Sequence, residues 1–189
     1  MANPIFDRYL PKELAERVQD IDFAGKISDF PRVCEIIVAE LEAVAEAERP
    51  RQWRAAPVDI RLAFSWLAGH TEMLAVDGRA AATITAVCQR CLAVFDFEVV
   101  TEIRMVLVSA TADSPPQERV ADYEIWDLDE GGVRPIELIE ESLVMALPFA
   151  PMHESGDVCA APDGSVSSVV KDTVRPFADL RAKMDNRDN

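Results

Sequence analysis

Cys88 and Cys91, in Cys88-Gln89-Arg90-Cys91, and His153 and Cys159 downstream are the residues best suited to chemistry in this chain, which holds only four Cys and two His. A Cys-x-x-Cys turn brings two thiols close enough for one ion or one disulfide to join them. Zinc favours a tetrahedral set of thiolates and imidazoles built from two close pairs, so Cys88, Cys91, His153 and Cys159 form a candidate structural zinc site. The His-x5-Cys spacing is looser than that of a standard finger. Two other readings stay open: reduced thiols at a hairpin beside a surface His153, and a reversible Cys88–Cys91 disulfide, although no thioredoxin-like βαβ pattern surrounds the pair. Arg90, between the thiols at an exposed tip, reads first as a solvated turn residue and alternatively as a contact for a phosphate or an acidic group. Cys34 lies on the apolar stripe of a helix and reads as a core thiol. His70 reads as a turn residue. No Ser-His-Asp set and no glycine-rich phosphate loop occurs.

The elements that must position these residues follow from hydrophobic periodicity. Pro11, with Leu14 and Val18 behind it, predicts a short helix over about 11–19, and Ile21–Ile27 a short strand. Phe30, Val33, Cys34, Ile37, Val38, Leu41 and Val44 step by three and four, which predicts an amphipathic helix over about 31–48, stopped by Pro50. Val58 to Trp66, Leu74 to Ala86 and Phe95 to Leu107 each alternate with period two, the mark of antiparallel strands with one covered face. Gln89-Arg90 then falls at a hairpin tip. Thr111–Val120 reads as a loop, Tyr123–Trp126 as one more short strand, and Asp127–Gly132 as an acidic turn. Pro135 starts a helix to about Leu147, after which Pro148 and Pro151 impose an extended run up to His153. Trp53, Trp66 and Trp126 read as packing groups. The fold class is α+β: an antiparallel β-sheet meander covered by helices, with a flexible C-terminal segment. Residues 1–159 are expected to form one domain, and 160–189 a mobile linker with a short terminal helix.

Charge narrows the function classes. The chain has 34 acidic and 19 basic residues and a formal net charge of −15. Affinity for nucleic acid comes largely from Lys and Arg displacing counterions from phosphates, so tight binding to naked RNA is not expected. An acidic body is attracted to basic surfaces. Asp127, Asp129, Glu130, Glu137, Glu140 and Glu141, with Arg90, are the candidate partner-binding residues. No run approaches the roughly 18 apolar residues that would span a bilayer. Met1–Arg8 lacks a basic region followed by an apolar stretch, which predicts a cytoplasmic location.

Four stretches, in this order, resemble the YceD family of large ribosomal RNA subunit accumulation proteins: Asp22-Phe23-Ala24-Gly25; Val87-Cys88-Gln89-Arg90-Cys91; Glu137-Leu138-Ile139-Glu140-Glu141 through Leu147-Pro148-Phe149-Ala150-Pro151-Met152-His153; and Pro176-Phe177-Ala178-x-Leu180. The resemblance implies a cytoplasmic factor for synthesis, processing or stability of large-subunit (23S) rRNA. It supplies no catalytic residues, and the Cys-rich tail of some relatives is absent here, where only Cys159 remains. With the charge, it predicts a non-enzymatic ribosome-biogenesis factor whose partner is a basic large-subunit ribosomal protein or a pre-ribosomal particle. The rival readings are a thiol redox protein using Cys88 and Cys91, and a metal-dependent nuclease or hydrolase using the acidic clusters.

Overall fold

The computed structural model describes residues 4–67, 73–109, 120, 122–128, 131–153 and 159, all within the compact unit Met1–Cys159. The expected Gly69-His70 turn, most of the Thr111–Val120 loop and the linker and helix of residues 160–189 lie outside the described residues.

Five strands make one sheet in sequence order: β1 Asp20–Lys26, β2 Pro57–Trp66, β3 Met73–Val87, β4 Val94–Ser109 and β5 Glu124–Leu128. The first four pair antiparallel, as the three alternating runs predict. β5 instead pairs parallel to β4, so the sheet is not a pure meander. A parallel neighbour requires the chain to cross back before pairing. Val120 and Tyr123, on that connection, pack with Met73, Val106 and Val108 on the outer sheet face.

Alternation translates directly into burial. Leu74, Val76, Ala80, Ala82, Ile84 and Ala86 share one face of β3 and are all buried, while Arg79 on the opposite face is exposed. Two helices cover the inner face, α2 (Pro31–Leu41) and α3 (Pro135–Ala146), each with proline near its start, where a missing N–H costs nothing. Leu138, Ile139 and Leu143 of α3 are fully buried beneath it, each worth roughly 1.5–3 kcal/mol relative to exposure. The two helices are tied together at their polar edge. The Arg32 N–H donates to Glu140 Oε1 at 2.7 Å, and the Arg32 guanidinium pairs with Glu141.

Two helix expectations need correction. α2 stops at Leu41 rather than near residue 48. Its end is set by Arg49, whose guanidinium donates to the carbonyls of Val44 and Glu42 at 2.8 and 3.1 Å. That satisfies open carbonyls before Pro50 is reached. The helix expected over 11–19 is a single turn, α1 (Pro11–Glu13), running into a π-helical turn over Leu14–Val18. Gln19 ends it in the left-handed region, at φ 56°, and its carbonyl accepts the Phe64 N–H at 2.6 Å. Trp53, Trp66 and Trp126 pack against the core, as expected.

Candidate metal centre

The β3–β4 hairpin carries the first two thiols. Cys88 N–H donates to the Ala93 carbonyl and Leu92 N–H to the Cys88 carbonyl, both at 2.9 Å, so residues 88–93 curl into a tight loop. Closing it forces Leu92 to φ 62°, a left-handed conformation that costs an L side chain about 1–2 kcal/mol. The curl also turns the N–H groups of Arg90 and Cys91 toward the Cys88 sulfur.

The other two donors arrive from beyond α3. After Ala146 the segment Leu147–His153 has no regular structure, as Pro148 and Pro151 dictate. It lies along the hairpin because Gln89 N–H donates to the Pro151 carbonyl at 2.9 Å. His153 then stands with Nδ1 3.5 Å from Cys91 Sγ. Its ring is held by Phe95, with centroids 4.4 Å apart. Cys159 Sγ lies 3.6 Å from Cys88 Sγ and accepts the Arg90 Nε–H at 3.0 Å.

The ligand atoms of Cys88, Cys91, His153 and Cys159 all lie within 4.8 Å of one another. Four donors around a tetrahedral zinc, with Zn–S near 2.3 Å, stand about 3.7 Å apart. The 3.5 and 3.6 Å contacts match that spacing, so this Cys3His cluster could hold a metal ion. Three thiolates around a dication leave a formal negative charge, which the Arg90 guanidinium on Cys159 offsets.

Burial works to raise the Cys88 pKa. The N–H groups of Cys91, His153 and Arg90 and the His153 side chain outweigh it, bringing the value down to about 5. At Cys91 the Ala93 N–H acts downward, but burial and the neighbouring Cys159 and Cys88 sulfurs win and the pKa is raised. Three sulfurs this close cannot all ionise without a cation between them. The Cys88 residue is out of reach of solvent, at 0% exposure. That suits a ligand better than an exchange nucleophile. All four cysteines are free. Cys34 stands apart, buried and donating to the Ile27 carbonyl at 3.2 Å, which is the core role expected of it.

The acidic candidates divide. Glu137 accepts from Arg134 at 2.6 and 2.8 Å and pairs with Arg8 at 3.6 Å. Glu140 and Glu141 both serve Arg32. These three carboxylates therefore brace α3 internally. Asp127 is exposed on β5, and Asp129 and Glu130 lie outside the described residues. Arg90 is exposed at the hairpin tip as expected, but its guanidinium is turned onto sulfur. Sequence reasoning missed Phe95 and Leu92. Phe95 reads in sequence only as one more alternating apolar residue, and nothing in a Leu signals positive φ. An open trough of about 640 Å³ lies elsewhere, on the outer face, with Asp22, Asp59, Arg61 and Arg79 on its walls; it includes no Cys or His.

Among the described residues no helix is long and apolar enough to cross a membrane. No solved structure matches the chain. The model of one family, described as large ribosomal RNA subunit accumulation protein YceD, matches residues 76–185. That span begins in β3, contains all four ligand-type side chains and α3, and leaves the Asp22–Gly25 stretch outside it. It covers more than half of the 189 residues. The chain therefore belongs to the YceD family of large ribosomal RNA subunit accumulation proteins.

Proposed function

We propose that this protein is a cytoplasmic, non-enzymatic ribosome-biogenesis factor that supports accumulation of 23S rRNA by binding a basic large-subunit ribosomal protein or an assembly intermediate. The observation that carries this reading is the family match over the residues that build the Cys3His cluster. The partner class follows from charge. A body of net charge −15 repels phosphate backbones and attracts cationic polypeptides. With Glu137, Glu140 and Glu141 engaged internally, exposed carboxylates such as Asp59, Glu98, Glu102 and Asp127 supply that attraction.

Zinc is the ion that suits the cluster, held by Cys88, Cys91, His153 and Cys159. Bound there it would supply no reaction, only a link between the β3–β4 hairpin and the segment after α3. Arg90 offsets its surplus negative charge and Phe95 fixes the imidazole.

Gradient sedimentation of cell extracts tests the function. The tagged protein should co-migrate with precursor large-subunit particles, and its deletion should lower mature 23S rRNA relative to 16S rRNA. Unchanged 23S rRNA in the deletion strain, with the protein absent from every particle fraction, would refute the proposal.

A further inference from the structure

Three large apolar side chains stand exposed on the two segments that carry the Cys3His cluster: Leu92 at 71%, Phe149 at 106% and Met152 at 55%. Their placement follows from contacts already described. Leu92 directly follows Cys91, whose sulfur faces His153. Met152 lies between Pro151 and His153, both of which touch the hairpin. Phe149 is two residues before Pro151 on the same segment. Leu92 is the most informative. Its backbone sits at φ 62°, where glycine would carry no steric penalty, and yet the position holds a branched side chain turned into water. Packing among the described residues does not account for it.

We propose that Leu92, Phe149 and Met152 form the docking surface for a cationic polypeptide segment that carries apolar residues among its lysines and arginines. This names the seat of the partner class proposed above and rests on that reading. The sequence around the surface supports the choice of occupant. From Leu147 to Cys159 the charged residues are Glu154 and Asp157, with no Lys or Arg, in a chain of net charge −15; Glu137, Glu140 and Glu141 are already paired and do not count. Apolar side chains on an acidic body, with the neighbouring Arg90 turned onto the Cys159 sulfur, fit a basic, partly apolar chain better than a nucleic acid. The Cys3His link would hold the hairpin and the 147–153 segment in register, so that side chains from both meet one partner.

Fluorescence anisotropy with the full-length, reduced, zinc-supplied protein tests this. The probes are a labelled peptide alternating Lys and Leu, a matched peptide alternating Lys and Ser, and a single-stranded RNA oligonucleotide, at near-physiological ionic strength. Wild type should bind the Lys/Leu peptide about tenfold or more tightly than the Lys/Ser peptide. The triple variant Leu92→Gly/Phe149→Ser/Met152→Ser should lose that preference to within about twofold. Leu92→Gly alone should weaken the Lys/Leu peptide while raising the melting temperature, because it relieves the left-handed leucine; this guards against a folding failure in the triple variant. Equal binding of both peptides by wild type, an undiminished preference in the variants, or tighter binding of the RNA would overturn the proposal. So would a wild-type dimer that becomes a monomer in the triple variant, since the surface would then pair two copies. Failure here leaves the biogenesis reading distinguishable: that reading stands or falls on whether wild type co-migrates with precursor particles.

Discussion

Chelation of the reduced protein should lower its melting temperature, and the size of the drop can be worked from the connectivity. An ion joining Cys91 to His153 closes a sequence separation of 62, and one joining Cys88 to Cys159 a separation of 71. In the chain-entropy treatment of a cross-link, a closure of that length is worth about 4 kcal/mol. This is a ceiling, because the Gln89–Pro151 hydrogen bond already holds part of the loop without metal. For a chain of this size each kcal/mol moves the melting temperature by about 2–4 °C, so the drop should reach at most about 8–16 °C. Cys159→Ser keeps Cys88, Cys91 and His153 and therefore the long closure. It should melt between the metal-loaded and chelated wild type. Scanning calorimetry with and without chelator, under reducing conditions and with zinc restored afterward, measures the series. A wild-type shift below about 1 °C, or a Cys159→Ser protein below chelated wild type, would refute the cross-link argument.

Other outcomes follow from particular contacts. Gly78→Ala should cost about 2–3 kcal/mol in denaturant unfolding, since a Cβ there would stand 2.3 Å from the Arg61 carbonyl oxygen and 2.7 Å from Leu62 Cδ2. Burial pushes the Glu137 pKa up, but its hydrogen bonds from Arg134 outweigh that and hold it below the ordinary carboxylate range. A depressed folded-state pKa stabilises at pH above the ordinary glutamate value and is lost as pH falls through the folded value. Glu137→Gln should therefore cost up to about 1 kcal/mol at pH 7 and progressively less below about pH 4, read from urea midpoints. Thiol titration of the reduced, metal-loaded protein should find the cluster closed. Chelation should release Cys88, Cys91 and Cys159, while Cys34, whose pKa burial raises, should react only on unfolding.

How much was legible in the sequence depended on the range of the forces involved. Period-two runs from Val58 to Leu107 fixed three strands, because each side chain reports its own face. Pro31 and Pro135 marked two helix starts, because proline acts on its own backbone. The end of α2 was not readable, since it depends on Arg49 folding back onto the Val44 and Glu42 carbonyls. Nor was the parallel pairing of β5, which nothing in Glu124–Leu128 encodes. At the site, residue type and pairing suggested the four ligands. Their approach required Gln89 to bind Pro151, a contact between distant backbones with no local signal. The acidic runs misled most. Spacing could not reveal that Glu137, Glu140 and Glu141 already had arginine partners at Arg134, Arg8 and Arg32.

X-ray absorption and metal analysis of the reduced, purified chain decide whether Cys88, Cys91, His153 and Cys159 bind zinc. One zinc per chain is expected, with about three sulfur ligands near 2.3 Å and one nitrogen near 2.0–2.1 Å, the nitrogen lost in His153→Ala. A chain free of metal after zinc-replete purification, or one whose mass reveals a Cys88–Cys91 disulfide under reducing conditions, would contradict it.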